Sequence, residues 1–205
     1  KTKANGIVMH LREDRRHIQL EDLVKYKRKY NFHLNLEMAP TNEMIRIANK
    51  IKPDVVTFVP EKRKELTTEG GLNLKIKKSN LIKLSNDLSD KIKIMYFIDP
   101  VKIQIDEAVK IGAFGIEINT GKYSEVSYKM RQKEFSKIKI AAKYATSKGL
   151  YTAAGHGLNE ENLLKLIKIP EIVEYNIGHS IISNSIFYGL DVSIKRIQDI
   201  MNIDD

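Results

Sequence analysis

The sequence predicts an α/β fold, a parallel sheet wrapped by helices, and favours closure of that sheet as a (β/α)8 barrel. Three observations carry this. Seven short apolar runs recur along the 205 residues, separated by segments of helical periodicity. Polar residues with chemical potential gather where each run ends. No GxGxxG pattern follows the first run, which counts against the dinucleotide-binding form of the alternative, an open doubly wound sheet.

The runs are Ile7–Leu11, Leu34–Met38, Val55–Val59, Ile92–Ile98, Gly115–Ile118, Tyr151–Ala154 and Glu174–Ile177. All have strand length rather than helix length. Between them, Phe135, Ile138, Ala142 and Ala145 recur at steps of three or four, and Gly149 stands where a helix C-cap belongs. Leu190, Ile194, Ile197 and Met201 repeat the pattern. Thr41 and Asn159 stand where two further helices start. In a barrel all strands send their carboxyl ends to one mouth. His10 and Arg12, Glu37, residues 60–63, Asp99, Glu117 and Asn119, His156 and His179 all lie at such ends.

The opening KTKANGIVMH reads as the last turn of a helix, an Asn-Gly turn and a strand. The expectation is a single barrel domain over residues 1–205 with about seven of the eight strands, lacking the first strand and most of the first helix.

Composition bounds the function classes. A chain that is 42% hydrophobic can bury one sizeable core. No stretch approaches 18 consecutive apolar residues, so no membrane partner is expected. No apolar leader follows the amino terminus. Cys is absent, which removes disulfides and thiolate metal sites and suits a reducing, cytoplasmic setting. The net charge of +9 is spread as lysines over most helical segments and reads first as solvated helix faces. No basic stripe is interleaved with aromatics, so no nucleic-acid partner is expected. No HExxH spacing suggests a metal, and no strand ends in a lysine for a Schiff base.

Three features can carry chemistry. Gly155-His156-Gly157 and Gly178-His179 each join a strand to a helix, where backbone N–H groups and a helix N-terminus can take an anion. The last two loops of a barrel commonly form a phosphate site, although such glycines also serve tight turns alone. His10, Glu37, Glu117 and His156 are acid–base candidates. A core histidine is the plain alternative for His10. A carboxylate in the run HLNLEM needs a partner, and His10 and Arg12 are placed to supply one. Finally, VPEKRKELTTEGGLNL is a long polar segment with Thr67 and Thr68 hydroxyls and a Gly70-Gly71 hinge, either a lid or a solvated connector.

MHLREDRRHI, NLEMA, VPEKRKELTTEGGL, FIDP, GIEINTG, AAGHGL and YNIGHSII, in this order, resemble the pyridoxine 5′-phosphate synthase family. The resemblance runs from about Gly6 to Met201. It implies a (β/α)8 barrel with extra helices, usually an octamer, without metal or organic cofactor. It also implies condensation of 3-amino-2-oxopropyl phosphate with 1-deoxy-D-xylulose 5-phosphate to give pyridoxine 5′-phosphate, inorganic phosphate and water. Carried over by motif, His10 and Glu37 are proton acceptors, His156 a proton donor and Glu117 a transition-state stabiliser. Arg12, His17 and Thr67 match groups that bind the deoxyxylulose phosphate; Gly157, Gly178 and His179 match groups that hold the aminoketone phosphate. Two departures stand out. The family's first-strand motif, N-x-D-H-x-A-T-x-R, is absent, so little ring formation is expected of this polypeptide. Asn119 stands where the family often has histidine. The alternatives are another phosphosugar isomerase or aldolase barrel, or a non-catalytic α/β protein that binds phosphate or nucleic acid.

Overall fold

The computed structural model describes residues 4–30, 32–61 and 70–201. Seven strands form one parallel sheet in chain order: β1 (Ile7–His10), β2 (Leu34–Met38), β3 (Val55–Phe58), β4 (Lys93–Ile98), β5 (Gly115–Asn119), β6 (Tyr151–Gly155) and β7 (Glu174–Asn176). The helices are α1 (Leu20–Lys29), α2 (Asn42–Ile51), α3 (Leu74–Asn86), α4 (Lys102–Ile111), α5 (Gly121–Glu125), α6 (Tyr128–Ser147), α7 (Glu160–Leu166), α8 (His179–Tyr188) and α9 (Leu190–Met201). Each strand pairs with its sequence neighbour, which is the topology of a (β/α) barrel. Among the described residues β1 and β7 are the two edges.

Pairing, not hydropathy, sets the strand limits. β1 stops at His10, one residue short of the apolar run, although Leu11 N–H still donates to Glu37 O at 3.0 Å. β5 and β6 reach one residue further than their apolar runs, because Asn119 pairs with Gly155, which pairs in turn with Asn176. Polar Asn119 is therefore a strand residue at the barrel mouth.

Local chemistry explains the helices. In α2, Thr41 accepts from Met44 N–H, Lys52 closes the helix in the left-handed region at φ 55°, and Met44, Ile45, Ala48 and Ile51 form the buried face. Asn159 caps α7 by accepting from the backbone N–H groups of Glu161 and Asn162. Gly149, just past α6, adopts φ 80°, as a helix C-terminus favours. The expected apolar stripe of α9 is displaced: Leu190 and Met201 are exposed, and the buried line passes through Ser193 and Ile197. The Ser193 hydroxyl returns to Gly189 O at 3.0 Å, so this small polar residue can face inward satisfied. Helix α5 is too short to leave a periodic signature.

Two cores result. Leu34, Leu36, Met38, Ile116 and Ile118 alternate outward and pack with helix residues such as Met44, Leu81 and Ala142. Inside the barrel a smaller cluster of Val55, Met95 and Ala153, with Phe114 and Tyr151 against it, fills the lower layer. Above it the inward positions turn polar: Asn35, Thr57, Glu37 and Glu117. Thr57 Oγ1 donates to Asn35 Oδ1 at 2.9 Å, so this buried pair satisfies itself.

The segment after β3 returns to the mouth at Gly71 and Leu72. Gly71 N–H donates to Asp99 Oδ1 at 3.0 Å and Leu72 N–H to Phe97 O at 2.7 Å. A Cβ on Gly71 would overlap the backbone of Ile98 and Asp99. The expected Gly70-Gly71 hinge is thus, at Gly71, a point of close backbone contact. We predict that Gly71→Ala costs about 1–3 kcal/mol of stability through overpacking, read as a lower urea midpoint; an unchanged midpoint would show that the contact yields freely.

Candidate active site

The parallel register sets His10 beside Glu37 on neighbouring strands, both facing inward. His10 Nδ1 lies 3.7 Å from Glu37 Oε2. On its other side, His10 Nε2 meets Glu61 Oε1 at 2.8 Å. The Glu61 side chain is 5% exposed, and its second oxygen accepts from Glu13 N–H at 2.9 Å. Burial raises the Glu37 carboxyl above its ordinary range, and the His10 charge only partly offsets this. Burial would raise Glu61 as well, but hydrogen bonds from His10 and Glu13 and the charge of Arg12 bring it below its ordinary value.

Arg12 does not partner Glu37 as its position suggests. Its Nε and Nη2 reach Asp14 at 3.2 and 3.4 Å, and Asp14 also binds Arg16. A turn causes this: Arg15 N–H donates to Arg12 O, and Arg15 takes φ 52°, folding Asp14 back onto Arg12. Arg16 and Arg12 hold Asp14 far below the usual carboxylate range. Arg15 also pairs with Glu43 at the start of α2, so the cluster after His10 forms a cross-linked rim. His17 sits on that rim, exposed to solvent.

The opposite wall comes from β5 to β7. Glu117 is 2% exposed, and its Oε2 accepts from Asn176 Nδ2 at 2.9 Å. Its other oxygen lies so close to Gly155 that a Cβ there would overlap it. Burial and the nearby Glu37 charge push the Glu117 carboxyl well above its ordinary range; the Asn176 bond lowers it only partly. His156 follows Gly155 with φ 86°, a left-handed backbone that is strained for a side-chain-bearing residue. Its carbonyl accepts from Thr120 Oγ1 at 2.7 Å, and its ring lies 6.2 Å from that of Phe97 and against Gly121. Asn119 donates to Asp99 at 2.9 Å and accepts from Gly121 N–H at 2.9 Å, bracing the same wall.

The glycine loops are neighbours. Ser180 Oγ donates to Leu158 O at 2.8 Å, which ties the start of α8 to the loop after β6. Gly157, Gly178 and His179 are all exposed at this corner, with Gly157 at φ 74°. The structure therefore brings His10, Glu37, Glu117 and His156 to one mouth with the glycine corner. Thr67 lies outside the described residues. Sequence reasoning gave no role to Glu61, one charge among many in its segment, or to Asn176, a neutral residue in a three-residue strand. Among the described residues, no group of three or more histidines and acids is placed to hold a metal ion.

Comparison with known proteins follows the same lines. The family model described as "Pyridoxal phosphate biosynthesis protein PdxJ" matches residues 1–203. Pyridoxine 5′-phosphate synthase from Sulfurihydrogenibium sp. (strain YO3AOP1) is 48% identical over 206 residues, 97% of this chain and 83% of the relative. The protein of that name from Geotalea daltonii is 48% identical over 200 residues, 97% of this chain and 84% of its own. Among solved structures, phosphoribosyl anthranilate isomerase from Thermus thermophilus superposes with a TM-score of 0.62 at 12% identity, covering 97% of this chain and 90% of that one. The Amycolatopsis orientalis BexX/CysO complex gives 0.65 at 8% identity, over 97% and 80%. At such identities the structures speak for the fold alone.

The raised Glu117 carboxyl has a consequence for stability. A carboxyl whose folded pKa exceeds its unfolded one favours folding while protonated in both states, and that contribution is lost as pH rises through the folded value. Glu117→Gln keeps an oxygen for Asn176 and removes the ionisable group. It should melt several degrees higher than the unmodified chain at mildly alkaline pH, with the gap closing toward the ordinary carboxylate range. A gap that does not change with pH would refute the assignment.

Proposed function

The chain belongs to the family described as pyridoxal phosphate biosynthesis protein PdxJ, and from that membership we propose how its barrel forms the pyridine ring. The reaction is the vitamin B6 condensation of 3-amino-2-oxopropyl phosphate with 1-deoxy-D-xylulose 5-phosphate, giving pyridoxine 5′-phosphate, phosphate and water. One observation carries the site assignment: two inward carboxyls, Glu37 and Glu117, share one mouth with His10 and His156, and burial raises both above the range of ordinary glutamates.

Ring formation needs repeated proton transfers. The substrate amine adds to a ketone, the carbinolamine loses water, phosphate departs and the ring closes. Each step moves protons on and off oxygen, nitrogen or carbon, which favours groups that exchange protons near neutrality. Glu37 and His10 take protons from substrate. His156, held by its carbonyl and its backbone twist, gives them back. Glu117 acts as a neutral acid that donates to charge developing on oxygen, with Asn176 fixing its orientation. Arg12, His17 and Thr67 take the deoxyxylulose phosphate at the rim. Gly157, Gly178 and His179 take the aminoketone phosphate, supported by the closeness of the two loops.

The lysine-rich surface gives no support to nucleic-acid binding as the primary role. Lys102, Lys110, Lys137 and Lys195 are each paired with a neighbouring acid on the same helix. Self-association fits better: Ile182, Ile186 and Phe187 lie exposed on α8. No helix among the described residues is long and apolar enough to cross a membrane. A cytoplasmic location, where phosphorylated intermediates are retained, suits the reaction.

Incubating both substrates with a form of the protein extended by a first strand that carries the family motif, and following pyridoxine 5′-phosphate by mass, tests the assignment. Glu37→Gln and His156→Asn should each lower kcat by about 10²–10⁴-fold while the circular dichroism spectrum is retained. Folded variants that keep full turnover would remove those residues from proton transfer.

A further inference from the structure

His10 is gripped on two sides, and only one side belongs to the acid–base pair. Its Nε2 lies 2.8 Å from Glu61 Oε1, and its Nδ1 lies 3.7 Å from Glu37 Oε2. Glu61 is almost fully enclosed and has its other oxygen occupied by Glu13 N–H at 2.9 Å. We propose that Glu61 is a positioning residue: it fixes the His10 proton on Nε2, so that Nδ1 turns its lone pair toward Glu37.

The argument is one of proton accounting. A hydrogen bond between Nε2 and a carboxylate needs one proton between them. Glu61 already accepts a backbone N–H and feels Arg12, so it holds the charge and the ring holds the proton. A neutral ring then has only Nδ1 left as acceptor. Glu37 faces that nitrogen from β2, in surroundings that favour its protonated form. At 3.7 Å, Glu37 Oε2 stands beyond direct hydrogen-bond length from that nitrogen but within ion-pair distance, while Glu61 Oε1 holds the opposite nitrogen at 2.8 Å. The charged groups facing His10 are then Glu37 from β2, Glu61 from beyond β3 and Arg12 from its own segment.

The proposal rests on the ring-forming role of this site, and its test separates the two. Long-range ¹H–¹⁵N correlation spectra at about pH 8.5, where neutral imidazoles dominate, report which ring nitrogen carries the proton, with His10 assigned by its loss in His10→Gln. The unmodified protein should show the Nε2–H tautomer. In Glu61→Gln, whose amide can donate as well as accept, the Nδ1–H tautomer should appear. In the form extended by the family's first-strand motif, the same substitution should lower kcat about 10–100-fold, with KM for both substrates changed less than about 3-fold. A proton on Nδ1 in the unmodified protein would overturn the proposal without any variant. So would a Glu61→Gln protein with unaltered tautomer, whatever its kcat. If the form extended by the family's first-strand motif binds both substrates but forms no product, the ring-forming role fails, and the spectra still decide what Glu61 does.

Discussion

The structure depends on one electrostatic constraint: two carboxyl groups, Glu37 and Glu117, are held inside one barrel. Among the described residues neither forms an ion pair with a lysine or arginine; the groups beside them are a histidine and an asparagine. Two ionised carboxylates sharing a poorly hydrated interior repel and lose hydration at once. The surroundings can meet this by proton uptake, by neutral donors, or by an imidazole that charges when needed. The barrel uses all three, through Glu117 itself, Asn176 and His10. The raised carboxyls are thus a consequence of burial rather than of exotic residue types.

The register makes this possible. Parallel pairing sets His10 level with Glu37, and sets Glu117 level with Phe97 and Ala153, two residues further along than the row through Glu37, Thr57, Met95 and Gly115. Small residues then leave room. Ala153 and Gly155 face Glu117, and Gly121 admits the His156 ring. The lower interior layer is apolar and closed by Tyr151, whose hydroxyl donates to Glu174 at 2.9 Å and is pushed up to about 12 by burial and that charge. The acid–base candidates proposed above, His10, Glu37, Glu117 and His156, all lie above this layer.

Much of this was legible in the sequence, for physical reasons. Strands of a parallel sheet are covered by helices, so they read as unbroken apolar runs, and all seven were placed to within a residue or so. A glutamate within such a run, as in HLNLEM or GIEINTG, has no bland explanation, and both proved buried or nearly so. The rest was hidden by what sequence does not encode locally. The Arg12–Asp14 pairing depends on a left-handed turn at Arg15. Glu61 draws its significance from His10, fifty-one positions away. Nothing about Asn176 stands out until β7 is set beside β6 and its amide falls on Glu117.

The twist at His156 carries a cost. An L-residue at φ 86° is held where only glycine rests without strain. Replacement by glycine would therefore relax the backbone at this position, trading away an imidazole. Under the proton-donor role proposed for His156, backbone stability and chemistry therefore pull in opposite directions at this one position.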